Sequence, residues 1–316
     1  MKEYGNRVIG KYIGGEEGPL LLCLAGMHGN EHAGVKALDL LLKMLEVEPI
    51  TNPDFKFRGS IIGIRGNLQA LAIGKRYIEK DLNRSLQTQH VEFVLEQDHD
   101  SLHAEDLEIF ELINTIKQEI KEIAPKRVVV LDLHTTTAFG GIFTITSNEP
   151  ESIRIGVDMH APVITGFEDA LAGTTMDYFK TENFKGLPVT TVVFESGQHE
   201  EPLSVNRAIA ATINCMQTIG CVDAEDVENR HDHLLIEYSR DLPKVSELIS
   251  RYHVVDSEKF EMLPDFKNFT PVRKGELLAY ENGTAITAAQ DCLIVMPKYQ
   301  AQGMDGFFLV KKIEGY

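Results

Sequence analysis

The 316-residue sequence has no tryptophan, only four cysteines and no long hydrophobic run. The cysteines, Cys23, Cys215, Cys221 and Cys292, show no C-x-x-C spacing, which argues against a thiolate metal site and against a disulfide framework. No stretch approaches the ~18 consecutive apolar residues of a membrane-spanning helix, and the amino-terminal stretch lacks the apolar core of a secretory signal. We therefore expect a cytoplasmic protein.

Basic residues are also scarce relative to acidic ones. The chain has 31 lysines and arginines against 48 aspartates and glutamates, which gives a formal net charge of -17. Nucleic acids and anionic membranes favour basic surfaces, so neither is an expected partner. A small anionic substrate would need a locally basic site on this acidic protein. The sequence leaves the oligomeric state open, and a homo-oligomer is compatible with it.

A short apolar run, Leu20 to Ala25, ends at a glycine and is followed by His28 and Glu31. A continuous apolar run between turn residues is typical of a strand buried on both faces. Residues 31–45 then repeat apolar side chains at helical spacing, so a strand, a turn and a helix follow one another. Open α/β sheets bind their ligands at such turns, at the carboxyl ends of parallel strands. A histidine and a glutamate placed there suit zinc.

A catalytic zinc site needs three protein ligands and one open position, so a third ligand is expected elsewhere in the chain. Arg127 to Leu133 is a second run typical of a buried strand, and His134 lies at its carboxyl end. Asp132 shares the strand face of His134 and could accept the hydrogen bond that fixes the imidazole tautomer. We therefore predict one Zn²⁺ per chain, bound by His28, Glu31 and His134.

The stretch Leu68 to Arg84 is dense in charged and amide side chains and predicts a short helix followed by an ordered surface loop. Arginine, aspartate and asparagine in a loop beside a metal site are candidate substrate-binding residues. Arg76 could polarise the scissile carbonyl, and Asn83 with Arg84 could bind a substrate carboxylate through amide and forked guanidinium donors. The alternative is a solvated charged loop without a functional role.

Glu195 directly follows an apolar run, Pro188 to Phe194, that predicts another buried strand. A carboxylate at this sheet edge, beside the predicted zinc, can accept a proton from water and pass it to a leaving nitrogen. The alternative role is a capping or ion-pairing glutamate at a strand end. His199 could line the pocket or begin a helix over residues 201–218, and we expect the latter.

The apolar pattern breaks near residues 223–229, which predicts one domain over residues 1–225 and a second over residues 226–316. The second part alternates short apolar pieces with turns, beginning at Leu234 to Tyr238, and this pattern predicts a small β-rich unit. The expected fold is therefore α/β, with a mixed, largely parallel sheet flanked by helices and followed by a smaller all-β C-terminal domain.

Several sequence blocks occur in a specific order: Gly26–Glu31 (GMHGNE), Gly66-Asn67, Arg76 with Asp81–Arg84 (DLNR), Asp132–Thr136 (DLHTT) and Glu195–Gly197 (ESG). Together they resemble the aspartoacylase and succinylglutamate desuccinylase family, a branch of the zinc carboxypeptidase-like fold. The resemblance implies a zinc-dependent hydrolase, a deacylase that cleaves the amide bond of a small N-acyl amino acid. It also implies that the C-terminal domain covers part of the active-site cleft.

The sequence departs from the aspartoacylase pattern in the residues that bind substrate. Aspartoacylases also use an arginine and a tyrosine ahead of the catalytic glutamate and a tyrosine from the C-terminal domain. No arginine lies between Ile155 and Asn206, and Lys180, Lys185, Tyr178 and Tyr299 are imperfect substitutes. The resemblance therefore supports the chemistry more strongly than the substrate.

Two rival functions share the same residues. A zinc carboxypeptidase that cleaves peptides would use the same metal and the same glutamate. A non-catalytic protein that binds zinc or a small ligand would use the same fold, but it would need neither Arg76 nor Glu195. We therefore predict an enzyme, with the deacylase as the first interpretation.

Overall fold

The computed structural model describes residues 5–315; residues 1–4 and 316, at the outer ends of the two predicted domains, lie outside it. The strands are β1 (Val8–Ile13), β2 (Glu16–Ala25), β3 (Arg58–Arg65), β4 (Val128–Thr136), β5 (Phe143–Thr146), β6 (Val163–Thr165), β7 (Val189–Gln198), β8 (Val245–His253), β9 (Phe260–Met262), β10 (Thr270–Val272), β11 (Leu277–Glu281), β12 (Thr284–Thr287), β13 (Cys292–Val295) and β14 (Asp305–Lys312). The helices are α1 (Ala33–Thr51), α2 (Leu68–Ile73), α3 (Thr88–Leu95), α4 (Ala104–Ile123), α5 (Pro150–Asp158), α6 (Thr175–Tyr178), α7 (Leu203–Ile219) and α8 (Asp232–Ser239). Short 3-10 turns lie at Leu82–Arg84, His99–Ser101, Phe167–Asp169 and Thr181–Phe184.

An eleven-stranded mixed sheet in the order β1-β3-β2-β4-β7-β5-β6-β8-β14-β13-β10 forms the centre of the molecule. Strands β3, β2, β4 and β7 are mutually parallel, whereas β5 runs antiparallel to β7. A separate antiparallel sheet has the order β12-β11-β9. The predicted fold class, an α/β protein with a mixed sheet and a smaller β unit, is confirmed.

Strand β2 is buried on both faces, as its continuous apolar run predicted. Successive side chains along a strand point to opposite faces. Leu21 and Cys23 accordingly pack in one core cluster with Leu41 of α1, while Leu22 packs in another with Ile113 of α4. Helices therefore cover the sheet on both sides, which leaves the strand ends as the place where polar side chains can gather.

The register of the parallel strands brings the predicted site residues to one edge. Ala25 at the end of β2 pairs with Leu133 in β4, and His134 pairs with Glu195 in β7. His28 follows β2 by a few residues, so it reaches the same edge. The sheet thus aligns three segments that lie far apart in the sequence.

One local prediction was wrong. Leu234 to Tyr238 is not a strand but part of α8, because the burial has helical spacing: Leu235 is fully buried, Tyr238 packs on the same core and Ile236 is exposed. Helix α3 likewise shows helical burial, because its Val91 and Val94 are buried three residues apart.

The large sheet continues past residue 225, because β8, β14, β13 and β10 extend it. The domain boundary between residues 225 and 226 stays a prediction. Within residues 5–315, no helix combines the length and the apolar character that crossing a membrane would require.

Candidate active site

Two glycines shape the turn that carries His28. Gly26 has φ = +69°, a left-handed backbone that favours glycine. A Cβ on Gly29 would lie 2.1 Å from the carbonyl carbon of Ala70, so α2 could not pack there against any larger residue. The backbone N–H of Gly29 donates to the carbonyl of Arg76 at 3.2 Å. The turn is therefore fixed against the loop that carries other site residues.

His28, Glu31 and His134 converge on one point, as predicted. Nδ1 of His28 lies 2.8 Å from Oε1 of Glu31, and Nδ1 of His134 lies 3.0 Å from Oε2 of the same carboxylate. The candidate ligand atoms of the three side chains lie within 4.8 Å of one another, and each residue is no more than 4% exposed. Two imidazole nitrogens and a carboxylate in this arrangement are a donor set suited to a single divalent cation.

The outer nitrogen of each imidazole also faces a carboxylate. Nε2 of His134 lies 2.8 Å from Oδ2 of Asp132, the contact that alternation along β4 predicted. Nε2 of His28 lies 3.1 Å from Oδ1 of Asp81, which the sequence did not indicate. When each Nε2–H donates to its carboxylate, the neutral rings present their Nδ1 lone pairs inward, where a metal would bind.

The electrostatics of the cluster reflect the close packing of opposite charges. Burial alone would raise the pKa of Glu31, but His28 and His134 outweigh burial and hold that pKa well below its ordinary value. Burial alone would lower the pKa of His134, but Asp132 and Glu31 raise it well above the ordinary value. Protons and a cation therefore compete for the same nitrogen atoms.

Glu195 lies beside this cluster and is 6% exposed. Among the described residues, no side chain or backbone group hydrogen-bonds to its Oε2. Burial, reinforced by Glu31 and Asp132 and opposed by His134, raises the pKa of Glu195 to about 8. A carboxyl group that exchanges its proton near neutral pH can act as a general base and then as a general acid.

The loop after α2 begins at the surface and turns inward. Nε and Nη2 of Arg76 donate to Oδ2 of Asp81 at 3.0 and 2.9 Å, and Nη1 lies 3.9 Å from Oε1 of Glu31. Leu82 and Asn83 are buried. Asp81 thus links the Arg76 guanidinium to the ring of His28, which excludes the alternative of a wholly solvated loop.

Asn83 and Arg84 both line the cleft, and both have partners within the protein. The side-chain oxygen of Asn83 accepts from the backbone N–H of Thr175 at 2.9 Å. Arg84 forms an ion pair with Asp305, which also accepts from Nε of Arg251 at 2.6 Å. A substrate carboxylate would therefore share Arg84 with Asp305, and the predicted carboxylate-binding role of Asn83 and Arg84 stays a prediction.

The cleft spans about 1020 Å³, including space open to solvent, and its lining includes side chains that the sequence did not place there. His199 lines it instead of beginning α7; its Nδ1 lies 2.7 Å from Oγ1 of Thr135, and burial lowers its pKa. Lys298 also lines the cleft, whereas its neighbour Tyr299, which the sequence suggested as an imperfect substitute for the C-terminal tyrosine of aspartoacylases, is not among the lining residues. The Tyr299 hydroxyl donates instead to the backbone carbonyl of Leu263 at 2.9 Å.

The catalytic-domain model of succinylglutamate desuccinylase and aspartoacylase matches residues 17–207, well over half of the chain. The chain belongs to this family. A probable aspartoacylase from Nostoc sp. is 35% identical over 126 residues, which are 40% of this chain and 38% of that protein. This chain therefore matches less than half the length of that relative.

Longer similarities to the same family are weaker in identity. A succinylglutamate desuccinylase from Pseudomonas putida is 24% identical over 265 residues, 82% of this chain and 72% of that protein. The X-ray structure of a succinylglutamate desuccinylase from Vibrio parahaemolyticus superposes with a TM-score of 0.60 at 18% identity, covering 94% of this chain and 83% of that one. This structural likeness shows that the family fold extends over nearly the whole chain.

Proposed function

We propose that this protein is a zinc-dependent amidohydrolase that removes the acyl group from a small N-acyl amino acid. The observation that carries the proposal is a buried set of two imidazoles and one carboxylate beside Glu195, whose Oε2 has no partner among the described residues. Membership of a deacylase family supports the same reaction class.

The residues present fit one Zn²⁺ per chain. His28, Glu31 and His134 would hold it, with Asp81 and Asp132 orienting the two rings. Three protein ligands correspond to a catalytic zinc site rather than a closed structural one. When bound, Zn²⁺ supplies a Lewis acid that polarises a carbonyl oxygen and lowers the pKa of water.

Glu195 moves the proton in the proposed reaction. Its carboxylate accepts a proton from water as the water oxygen bonds to the amide carbonyl carbon. The same proton is then donated to the amide nitrogen as the carbon–nitrogen bond breaks, which releases a carboxylic acid and an amino acid. Arg76 is the group that stabilises negative charge developing on the carbonyl oxygen, and Arg84 with Asn83 binds the substrate carboxylate.

The C-terminal residues favour a small substrate over a peptide. Lys298, Gln300 and Asp305 line the same cleft as the proposed metal site, and side chains in these positions would limit access to it. A peptidase would need an open groove for the chain on the amino-terminal side of the scissile bond. We therefore place the deacylase ahead of the carboxypeptidase and of a non-catalytic binding protein.

Metal analysis combined with a substrate panel tests the proposal. Wild type should contain about one Zn²⁺ per chain and hydrolyse N-acyl amino acids faster than C-terminal dipeptides. The double variant His28→Ala, His134→Ala should lose the metal, whereas His99→Ala, His233→Ala, which removes two exposed imidazoles, should keep it. Stoichiometric zinc in the first variant would refute the metal site, and preferential cleavage of dipeptides would support the carboxypeptidase.

A further inference from the structure

One end of the cleft is apolar. We call it the apolar end and define it by six side chains that line the cleft and are between 2% and 8% exposed: Ile145, Phe167, Leu171, Met176, Val193 and Phe308. All six belong to one hydrophobic cluster. Small-molecule sites commonly combine such an apolar wall with a few polar groups that fix orientation.

The apolar end is continuous with the catalytic carboxylate. Val193 precedes Glu195 by two residues in β7, so both side chains lie on one face of the sheet. Ile145 in β5 pairs directly with Val193 and extends this face. The rings of Phe167 and Phe308 close it, with their centroids 4.9 Å apart. A group placed there would contact hydrocarbon immediately beside the reacting atoms.

The cationic side chains near the apolar end already have carboxylate partners. Nζ of Lys180 lies 3.3 Å from Oδ1 of Asp177, and Arg84 is paired with Asp305. Glu168 adds a further acidic group to the lining. A second carboxylate on the substrate would therefore leave water for a hydrocarbon wall, where Lys180 is paired with Asp177 and Arg84 is already shared between Asp305 and the α-carboxylate.

Arg84 sets the direction of the substrate. An α-carboxylate and a side chain leave the same carbon atom, so a substrate held at Arg84 places its side chain within a few ångströms of that residue. Asp305, the partner of Arg84, lies in β14 three residues before Phe308 of the apolar end. The region around Arg76, in contrast, is polar, since Gln302 accepts from the Arg76 backbone N–H at 3.1 Å and Lys298 also lines the cleft.

We propose that the apolar end binds the side chain of the amino-acid part of the substrate, and that this side chain is aliphatic or aromatic and uncharged. This inference rests on the proposed function and names the substrate class for the same site. The acyl group then occupies the polar region near Arg76.

A substrate series with a constant acyl group tests the inference. For the zinc-loaded enzyme, kcat/KM for N-acetyl-L-leucine and N-acetyl-L-phenylalanine should exceed the value for N-acetyl-L-aspartate and N-acetyl-L-glutamate by about 100-fold, within the range that apolar pockets achieve. Equal rates, or faster cleavage of the acidic compounds, would overturn the inference.

A charge introduced at the apolar end should change the preference. Leu171→Arg should lower the leucine-to-aspartate ratio of kcat/KM by at least about 10-fold. The introduced guanidinium would attract the side-chain carboxylate of the aspartate compound, whereas the apolar side chain of the leucine compound would have to displace water from it. The exposed Ile50→Arg introduces the same charge away from the cleft and is the control that should keep the wild-type ratio. If thermal unfolding shows that Leu171→Arg is not folded, Met176→Lys replaces it. An unchanged ratio in a folded variant contradicts the inference.

Binding separates this inference from the proposed function. Calorimetric titration of Glu195→Gln with N-acetyl-L-leucine and N-acetyl-L-aspartate measures the preference without turnover. If wild type hydrolyses none of the compounds, the proposed function is wrong, and the binding preference alone decides the inference. Tighter binding of the leucine compound supports it, whereas equal binding, tighter binding of the aspartate compound or no binding of either overturns it.

Discussion

Glu195→Gln is the sharpest single test of the proposed chemistry. The substitution preserves the shape of the side chain and removes its capacity to accept a proton. It disrupts no protein hydrogen bond at Oε2, because no described residue bonds to that atom. A loss of activity in a folded, metal-containing variant would therefore report on proton transfer and not on a broken structure.

The expected loss in kcat is about 100-fold or more, the scale of general acid-base groups, which corresponds to roughly 3 kcal/mol of transition-state stabilisation. Zinc content and substrate binding should stay near wild type, so KM should change much less than kcat. Steady-state kinetics with N-acyl amino acids, metal analysis and calorimetry measure these three quantities. Near wild-type turnover in the Gln variant would move the role of base to another residue.

The pH profile adds a signature that a merely structural glutamate would not show. The base is active when deprotonated, so kcat should fall as pH decreases through the pKa of Glu195. Burial places this pKa at about 8 in the metal-free protein, and a neighbouring divalent cation stabilises the charged carboxylate and lowers it. The acidic limb of the zinc-loaded enzyme should therefore lie below pH 8 and be absent from the residual activity of Glu195→Gln. The same limb in both proteins would rule out this assignment.

Three further substitutions test neighbouring roles. Arg76→Lys keeps the charge but loses the fork that contacts Asp81, so kcat should decrease more than binding; equal losses would make Arg76 a binding residue. Wild type should prefer a free α-carboxylate over its amide by about 2 to 5 kcal/mol, and Arg84→Ala should lose most of this preference, with the exposed Arg230→Ala as control. Asp132→Asn should weaken zinc affinity about 10- to 100-fold through His134, as a competition titration would show, and unchanged affinity would contradict the orienting role.

The cluster of His28, Glu31 and His134 was predictable because its residues lie next to local sequence patterns. A short apolar run predicts a buried strand, and the carboxyl ends of parallel strands share one edge, so His28 and His134 could be placed together without coordinates. Alternation along β4 added Asp132. Each of these inferences needs only the neighbouring residues and a rule about sheets.

The contacts that the sequence missed all join distant segments. Asp81 reaches His28 across 53 positions, and Arg84 reaches Asp305 across 221. Neither pair has a periodic or spacing signal, because an ion pair depends on how loops fold back and not on local burial. The same reason applies to β8 and β14, because their antiparallel pairing extends the large sheet and depends on packing between segments that are distant in the sequence.

The ion pairs of Asp305 link the cleft to the C-terminal strands of the large sheet. The Asp305 carboxylate in β14 forms ion pairs with Arg84, which lies within the residues 17–207 that match the family, and with Arg251 in β8. Strand β8 in turn pairs with the short strand β6. A fragment that ended at residue 225 would therefore lose the counter-charge of Arg84 and would leave β6 without its neighbour β8. The two stretches of sequence depend on each other, so any exchange of the C-terminal part between relatives must carry the partner of Arg84 with it.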